Sequence, residues 1–243
     1  MNKRQKDFLI KLKKKKYREE HKKFIIENLK IALEEYSNKL LDSIYTTEKF
    51  FNENKDEMVF NNIDIISEKD LKKVSNKVNP PGIVALFNIP VEKKFNFKKR
   101  LILILDDIQD PGNLGTIIRT ADWFGFNQIF LSNNCVEIYN PKVVSSSMGS
   151  IFNLDIHSNI NLKNFIKDLK KERYKIVVTD LNGENVKFNK KNKIALVIGS
   201  ESKGVSSDIK YLADLNYKIQ KSGKAESLNV AIAAGIIMNK IKF

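Results

Sequence analysis

Leu101-Ile-Leu-Ile-Leu-Asp-Asp-Ile-Gln-Asp-Pro-Gly-Asn-Leu-Gly-Thr-Ile-Ile-Arg119 is the stretch on which the fold turns. Leu101 to Leu105 is an unbroken apolar run, as expected of a strand buried on both faces. A Gly-containing loop, Asp110-Pro-Gly-Asn-Leu-Gly115, follows, and a helix is predicted from Thr116 to Phe124. The same rhythm continues downstream. Gln128-Ile-Phe-Leu131, Ile156, Lys175-Ile-Val-Val-Thr179 and Ile194-Ala-Leu-Val-Ile198 read as strands. Helices are expected to begin at Asn140-Pro-Lys-Val-Val144, to fill Leu162 to Leu169, and to close the chain from Leu228 to Met238. Alternating strands and helices of these lengths predict an α/β domain with a mostly parallel sheet covered by helices.

Upstream the pattern is shorter-ranged. Phe8, Leu9 and Leu12 recur at helical spacing among charges, which predicts a basic amphipathic helix. Phe24-Ile-Ile26 is apolar, and Leu29, Ala32, Leu33 and Tyr36 follow at a helical period. Leu40 to Tyr45, Ile63 to Ile66 and Ile83 to Phe87 read as strands, and Ser67 with Asp70 starts a helix to Val74. Residues 1–90 therefore suffice for a small α/β domain. Residues 91–100 read as a linker, and residues 101–243 as the second domain.

Composition narrows the function classes. The 243-residue chain has room for two modest cores. Its 43 Lys and Arg against 29 Asp and Glu give a net charge of +14, dense in Lys11-Leu-Lys-Lys-Lys-Lys-Tyr-Arg18. A polyanion partner follows naturally, since each phosphate neutralised releases counterions; a solvated basic face is the bland alternative. No apolar run approaches a membrane span, and the N-terminus lacks a secretory core. A single cysteine, Cys135, fits a reducing cytosol, so a cytoplasmic location is expected. His21 and His157 stand far apart with no cysteines clustered near them, so no metal site is expected.

The polar chemistry gathers in three segments: Asp110 to Arg119, Gly199-Ser-Glu-Ser-Lys-Gly204 and Ser222-Gly-Lys-Ala-Glu-Ser-Leu-Asn229. Each borders a strand or helix where open α/β sheets place ligand loops. None matches a dinucleotide fingerprint or a P-loop; Ala225 stands where a P-loop needs a hydroxyl residue. Each segment alone is compatible with a turn. Arg119 could be a surface ion-pair residue, Glu201 an exposed loop carboxylate and Ser227 a helix cap. Asn229 resists that reading, because asparagine is a poor helix former and costly to bury unpaired. Trp123 reads as core and Cys135 as inert.

Taken in order, the three segments resemble the SpoU/TrmH family of RNA ribose 2′-O-methyltransferases, of the SPOUT superfamily, from about Leu101 to the C-terminus. The resemblance implies a trefoil-knotted domain that binds S-adenosylmethionine, paired as a homodimer through this domain, with no metal and no membrane. The first ninety residues are similar to the small RNA-binding domain that precedes many of these enzymes, through Phe24-Ile-Ile-Glu27, the Ser67 to Val74 helix and Pro81-Gly-Ile-Val-Ala85. Asn28 and Gln220 depart from the Gly and Pro usual at those places. Carried over, Arg119 would act on the ribose hydroxyl, as base or as the group orienting the proton acceptor; a guanidinium is a poor base, so help from an RNA phosphate is attractive. Asn113 would fix Arg119 and substrate. Glu201, Ser227 and Asn229 would position ribose, loop and cofactor. Gly199, Glu201, Ile219 and Leu228, with Thr179 nearby, would hold the cofactor. The implied substrate is structured RNA, with 23S ribosomal RNA favoured over transfer RNA. The rivals are a tRNA 2′-O-methyltransferase, a non-catalytic ribosome-assembly factor on the same fold, and a nucleotide-binding enzyme.

Overall fold

The computed structural model describes residues 1–189 and 191–242, so residue 243, the expected end of the second domain, lies outside the described residues. The chain divides into two compact units. One comprises Met1–Val91 with Tyr139–Ser145, the other Glu92–Ile138 with the chain from Ser146 onward.

Helices α1 (Lys3–Lys11) and α2 (Lys15–His21) lead into β1 (Lys23–Ile26) and α3 (Leu29–Glu34). Then come β2 (Leu41–Thr46), α4 (Glu48–Glu53), β3 (Ile63–Ile65), α5 (Glu68–Val74) and β4 (Ile83–Asn88). The four strands form one mixed sheet in the order β1-β4-β2-β3. Asn2 and Gln5 close the start of α1 as a reciprocal capping box, and the helix lays Leu9 on Ile25, Tyr45, Leu71 and Val84. Lys6 reaches Asp70 at 3.0 Å, and that hydrogen bond holds the Asp70 carboxyl below the usual carboxylate range. Gly82 turns the chain into β4 at φ 96°, where a Cβ would fall 2.4 Å from the Phe50 ring. Only glycine fits there.

From Leu101 the elements are β5 (Leu101–Asp106), α6 (Pro111–Phe124), β6 (Gln128–Ser132), α7 (Pro141–Ser147), β7 (Asp155–Ile160) and α8 (Leu162–Lys171). They continue with β8 (Lys175–Glu184), β9 (Ile194–Gly199), α9 (Ser207–Tyr211), β10 (Leu215–Tyr217) and α10 (Val230–Lys242). The strands make one six-stranded sheet, β10-β8-β9-β5-β6-β7, and every pair is parallel. Each residue of β5 is buried, as the continuous apolar run predicts. Among the described residues no helix is long and apolar enough to cross a membrane.

Three details depart from the sequence expectations. The segment Pro111 to Gly115, expected as a loop, is the first turn of α6. Asp110 caps it by accepting from the Asn113 N–H at 2.8 Å, and Pro111 takes the first helical position, where its missing N–H costs nothing. Asn229, not Ser227, caps α10, its Oδ1 accepting from Ala231 at 3.0 Å and Ile232 at 3.3 Å. Trp123 is not core: it is 84% exposed on α6.

Residues 92–99 carry no long element, yet they are fastened to the second unit. Glu92 meets His157 and Lys93 meets Asp155, each at 2.8 Å. Phe95 packs edge-on to Phe130 and Phe165. The Tyr174 hydroxyl donates to the carbonyls of Phe97 and Lys99, and burial followed by the Glu172 charge pushes its pKa up to about 12.

Candidate active site

Three parallel strands end side by side at the site: β5 at Asp106, β9 at Gly199 and, one strand over, β8 beyond Val178. Carboxyl ends of parallel strands are where open α/β sheets bind ligands. Gly199 is required by its packing, since a Cβ there would lie 2.1 Å from the backbone of Gly204 and Val205. The loop folds back on itself, with the Gly204 N–H donating to the Ser200 carbonyl at 2.8 Å and Gly204 at φ 66°. The turn presents Glu201.

Glu201 is where the three polar segments meet. Its Oε1 accepts from Asn229 Nδ2 at 2.8 Å, Asn113 Nδ2 at 3.0 Å and the Val230 N–H at 3.2 Å. Asn229 Nδ2 also donates to Asn113 Oδ1 at 3.0 Å. One carboxylate oxygen thus ties the first turn of α6 to the start of α10, through bonds of the stronger, charge-assisted kind. The cap chemistry explains the geometry: Asp110 fixes where Asn113 stands, and Asn229 spends its oxygen on α10 while its amide nitrogen faces Glu201.

Beside this cluster lies a cavity of about 580 Å³, whose walls include Thr179, Gly199, Glu201, Ile219, Ser227 and Leu228. Its size is that of a site for a cofactor-sized molecule. Asp180 and Lys210 also line it, paired at 2.9 Å. The Asn182 N–H and then Lys210 hold the Asp180 carboxyl below its usual range. S-adenosylmethionine fits this lining: apolar surface at Ile198, Ile219 and Leu228, backbone at Gly199, and residues of both charges, among them Asp180, Glu201, Lys203 and Lys210. A second cavity, about 180 Å³, shares Ser200, Glu201 and Lys203 and extends to Asp107, Gln109 and Asn113.

Arg119 stands apart. Six residues after Asn113, it lies about 120° further round the α6 surface. Its guanidinium is exposed, lines neither cavity, and makes no hydrogen bond or ion pair among the described residues. The structure therefore gathers Asn113, Glu201 and Asn229 in one cluster, with Thr179, Gly199, Ile219, Ser227 and Leu228 around the adjoining cavity, and leaves Arg119 outside both. Sequence reasoning passed over Asp180, Lys210, Asp107 and Gln109. Asp180 directly follows the strand-end Thr179 and could have been found on that ground. Lys210 was hidden in a chain with 43 Lys and Arg. Cys135 is half-buried, its thiol pushed up by burial and donating to the Leu105 carbonyl at 3.3 Å. Among the described residues no group of three His, Cys, Asp or Glu side chains could hold a metal ion.

Comparison with known proteins places this geometry. Residues 100–239 match the SpoU rRNA Methylase family, and residues 3–85 match the MRM3-like substrate binding domain. The 23S rRNA (guanosine(2553)-2′-O)-methyltransferase RlmP of Bacillus subtilis is 35% identical over 180 residues, 73% of this chain and 71% of that protein. A solved TrmH-family protein from Porphyromonas gingivalis superposes with a TM-score of 0.86 at 28% identity, covering 100% of this chain and 98% of that one. An rRNA methyltransferase from Sinorhizobium meliloti, solved with S-adenosylmethionine bound, gives a TM-score of 0.81 at 26% identity, covering 97% of this chain and 93% of that one. The match over 100–239 contains every segment of the Glu201 cluster and both cavities. The chain belongs to the SpoU rRNA methylase family.

Proposed function

We propose that this protein transfers the methyl group of S-adenosylmethionine to a ribose 2′-hydroxyl of 23S ribosomal RNA, at a guanosine as in the name of its Bacillus relative. The observation that carries this reading is the Glu201 cluster, which closes a cofactor-sized cavity and faces a second, smaller one. When bound, S-adenosylmethionine supplies a methyl already activated on a sulfonium. What remains for the chain is alignment, which alone supplies a large share of a barrier reduction. Gly199, Ile219 and Leu228 hold the cofactor, with Thr179 and Ser227 at its edge. Asn113, Glu201 and Asn229 keep the two helix starts at fixed separation beside the ribose. Arg119 donates to the ribose oxygen or a neighbouring phosphate, because a guanidinium stays charged and gives hydrogen bonds rather than taking protons. A phosphate oxygen of the RNA is then the acceptor for the hydroxyl proton.

Arg119 reaches this position from a second copy of the chain. Helices α6 and α10 pack together, Thr120 against Gly235; α6 exposes Trp123, α10 exposes Ile232 and Ile236, and Leu228 is exposed just before α10. Arg119, also exposed, precedes Trp123 by about one helical turn on α6. Exposed apolar area of this kind marks an interface, and a symmetric pairing would set one copy's Arg119 against the other's cavity. The first unit and its basic N-terminus grip RNA backbone, reading shape more than sequence. The knotted threading and a cytoplasmic location belong to the same reading.

The test is methyl transfer from tritiated cofactor to purified 23S ribosomal RNA and to transfer RNA in parallel. Label in 23S RNA is expected. Label confined to transfer RNA selects the tRNA enzyme, and cofactor binding without transfer to either selects an assembly factor.

A further inference from the structure

The smaller cavity, about 180 Å³, has a wall that methyl transfer does not require. Asp107 stands at its mouth in the left-handed region, at φ 61°. The neighbouring loop pins this backbone. The Asp107 N–H donates to Ser132 Oγ at 3.0 Å, the Ile108 N–H to Cys135 Sγ at 3.3 Å, and the Val136 N–H to the Ile108 carbonyl at 2.9 Å. Gln109 Nε2 then donates to Asp107 Oδ1 at 2.7 Å, fixing both side chains relative to each other. Asp107 Oδ2 and Lys203 Nζ make no hydrogen bond among the described residues. The cavity thus offers a rigid carboxylate edge, an amide and an ammonium, immediately beside Glu201.

We propose that this cavity receives the base of the target nucleotide and that Asp107 and Gln109 select guanine. The inference rests on the RNA ribose reading above. A carboxylate edge wants two adjacent donors, and guanine alone among the four bases presents them, as N1–H beside the 2-amino group. Its O6 is an acceptor for the ammonium of Lys203 or the second N–H of Gln109. Adenine and cytosine place one donor next to an acceptor, and uracil places its single donor between two. Each would bring a lone pair against the Asp107 carboxylate. Reading a splayed-out base on this edge is the usual way proteins recognise RNA sequence.

The experiment first maps the nucleotide that the wild-type enzyme methylates in 23S RNA. It then compares that RNA with a ligated RNA carrying inosine at that one position, which lacks only the 2-amino group. Wild type is expected to lose about 10- to 100-fold in kcat/KM on inosine, the loss of one good base contact, mostly through KM. Asp107→Asn, whose side chain tolerates the left-handed backbone, should lose a similar factor on guanosine and no longer distinguish the two RNAs. Its S-adenosylmethionine affinity, by calorimetry, should stay within about twofold, since Asp107 lies outside the cofactor cavity. Gln109→Ala should show a smaller loss in the same direction. An Asp107→Asn enzyme that discriminates like wild type, or loss of cofactor binding in that variant, overturns the proposal and leaves the methyltransferase reading intact; a mapped target other than guanosine overturns the proposal and the choice of guanosine above, but not ribose methyl transfer. Absence of methylation of any RNA by wild type overturns that reading, and this one with it.

Discussion

Glu201 and Arg119 are the two charged residues to which the proposed reaction gives the main roles, and they are placed in opposite ways. Glu201 takes three N–H donors on one oxygen, from two separate segments of its own chain, the first turn of α6 and the start of α10. Arg119 projects from an exposed face of α6 and meets none of the described residues. The groups that hold the pocket are satisfied before any ligand arrives; the group assigned to the substrate is left unpaired. An arginine left unpaired in this way is what the proposed pairing of two copies requires.

Removing Arg119 tests the unpaired side and should have the largest effect. Arg119→Ala is expected to lower methyl transfer by about 10²–10³-fold or more, the scale of one lost donor at a developing charge. Cofactor affinity measured by calorimetry should be nearly unchanged. Mixing Arg119→Ala with a Glu201→Ala chain should restore part of the activity, because one composite site in the mixed dimer is intact. No recovery would place Arg119 on its own copy's cavity.

Trp123→Glu acts on the proposed pairing. It should shift the protein to monomer in sedimentation and reduce transfer in step, while the isolated chain keeps its helical content. Glu201→Gln acts on the satisfied side with a smaller effect. It keeps an acceptor but removes the charge, so roughly tenfold weaker cofactor binding is expected, consistent with losing the extra strength of charge-assisted bonds. A Glu201→Gln protein as inert as Arg119→Ala would erase the contrast between the two residues.

The smallest effect concerns the fastening of residues 92–99. Tyr174 bonds two connector carbonyls as a neutral phenol, and its pKa is pushed up to about 12. A raised folded value means that this stabilisation is complete below the ordinary tyrosine range, near 10. It is lost as pH rises from there through about 12. Tyr174→Phe should cost about 1–2 kcal/mol in denaturant unfolding near neutrality. It should also flatten the alkaline slope of stability across that window.

Much of the fold was legible because it rests on period and run length. The apolar run at Leu101 read as a strand covered on both faces and those at Lys175 and Ile194 as further strands, and the sheet follows from their alternation with helices. Boundaries were less visible. Asp110-Pro-Gly-Asn-Leu-Gly looks like a loop by composition, yet a capping aspartate and a proline at the first helical position make it a helix start. Asn229 was flagged as anomalous inside a helix; it stands exposed just before α10 and caps it, so neither helix propensity nor burial counts against it. Trp123 was read as core because large aromatics usually are, and it is 84% exposed instead. The joining of Asn113, Glu201 and Asn229 depends on contacts 88 and 116 residues apart in sequence. No local pattern encodes such contacts; the order of the three segments did.

The most direct measurement is the chemical position of the transferred methyl. Labelled 23S RNA, hydrolysed in alkali and analysed by mass spectrometry, should yield an alkali-resistant dinucleotide with the methyl on the ribose 2′-oxygen. A methyl found on a base, or no methyl in any RNA from a protein that binds S-adenosylmethionine, would contradict the function assigned to the Glu201 cluster and its cavity.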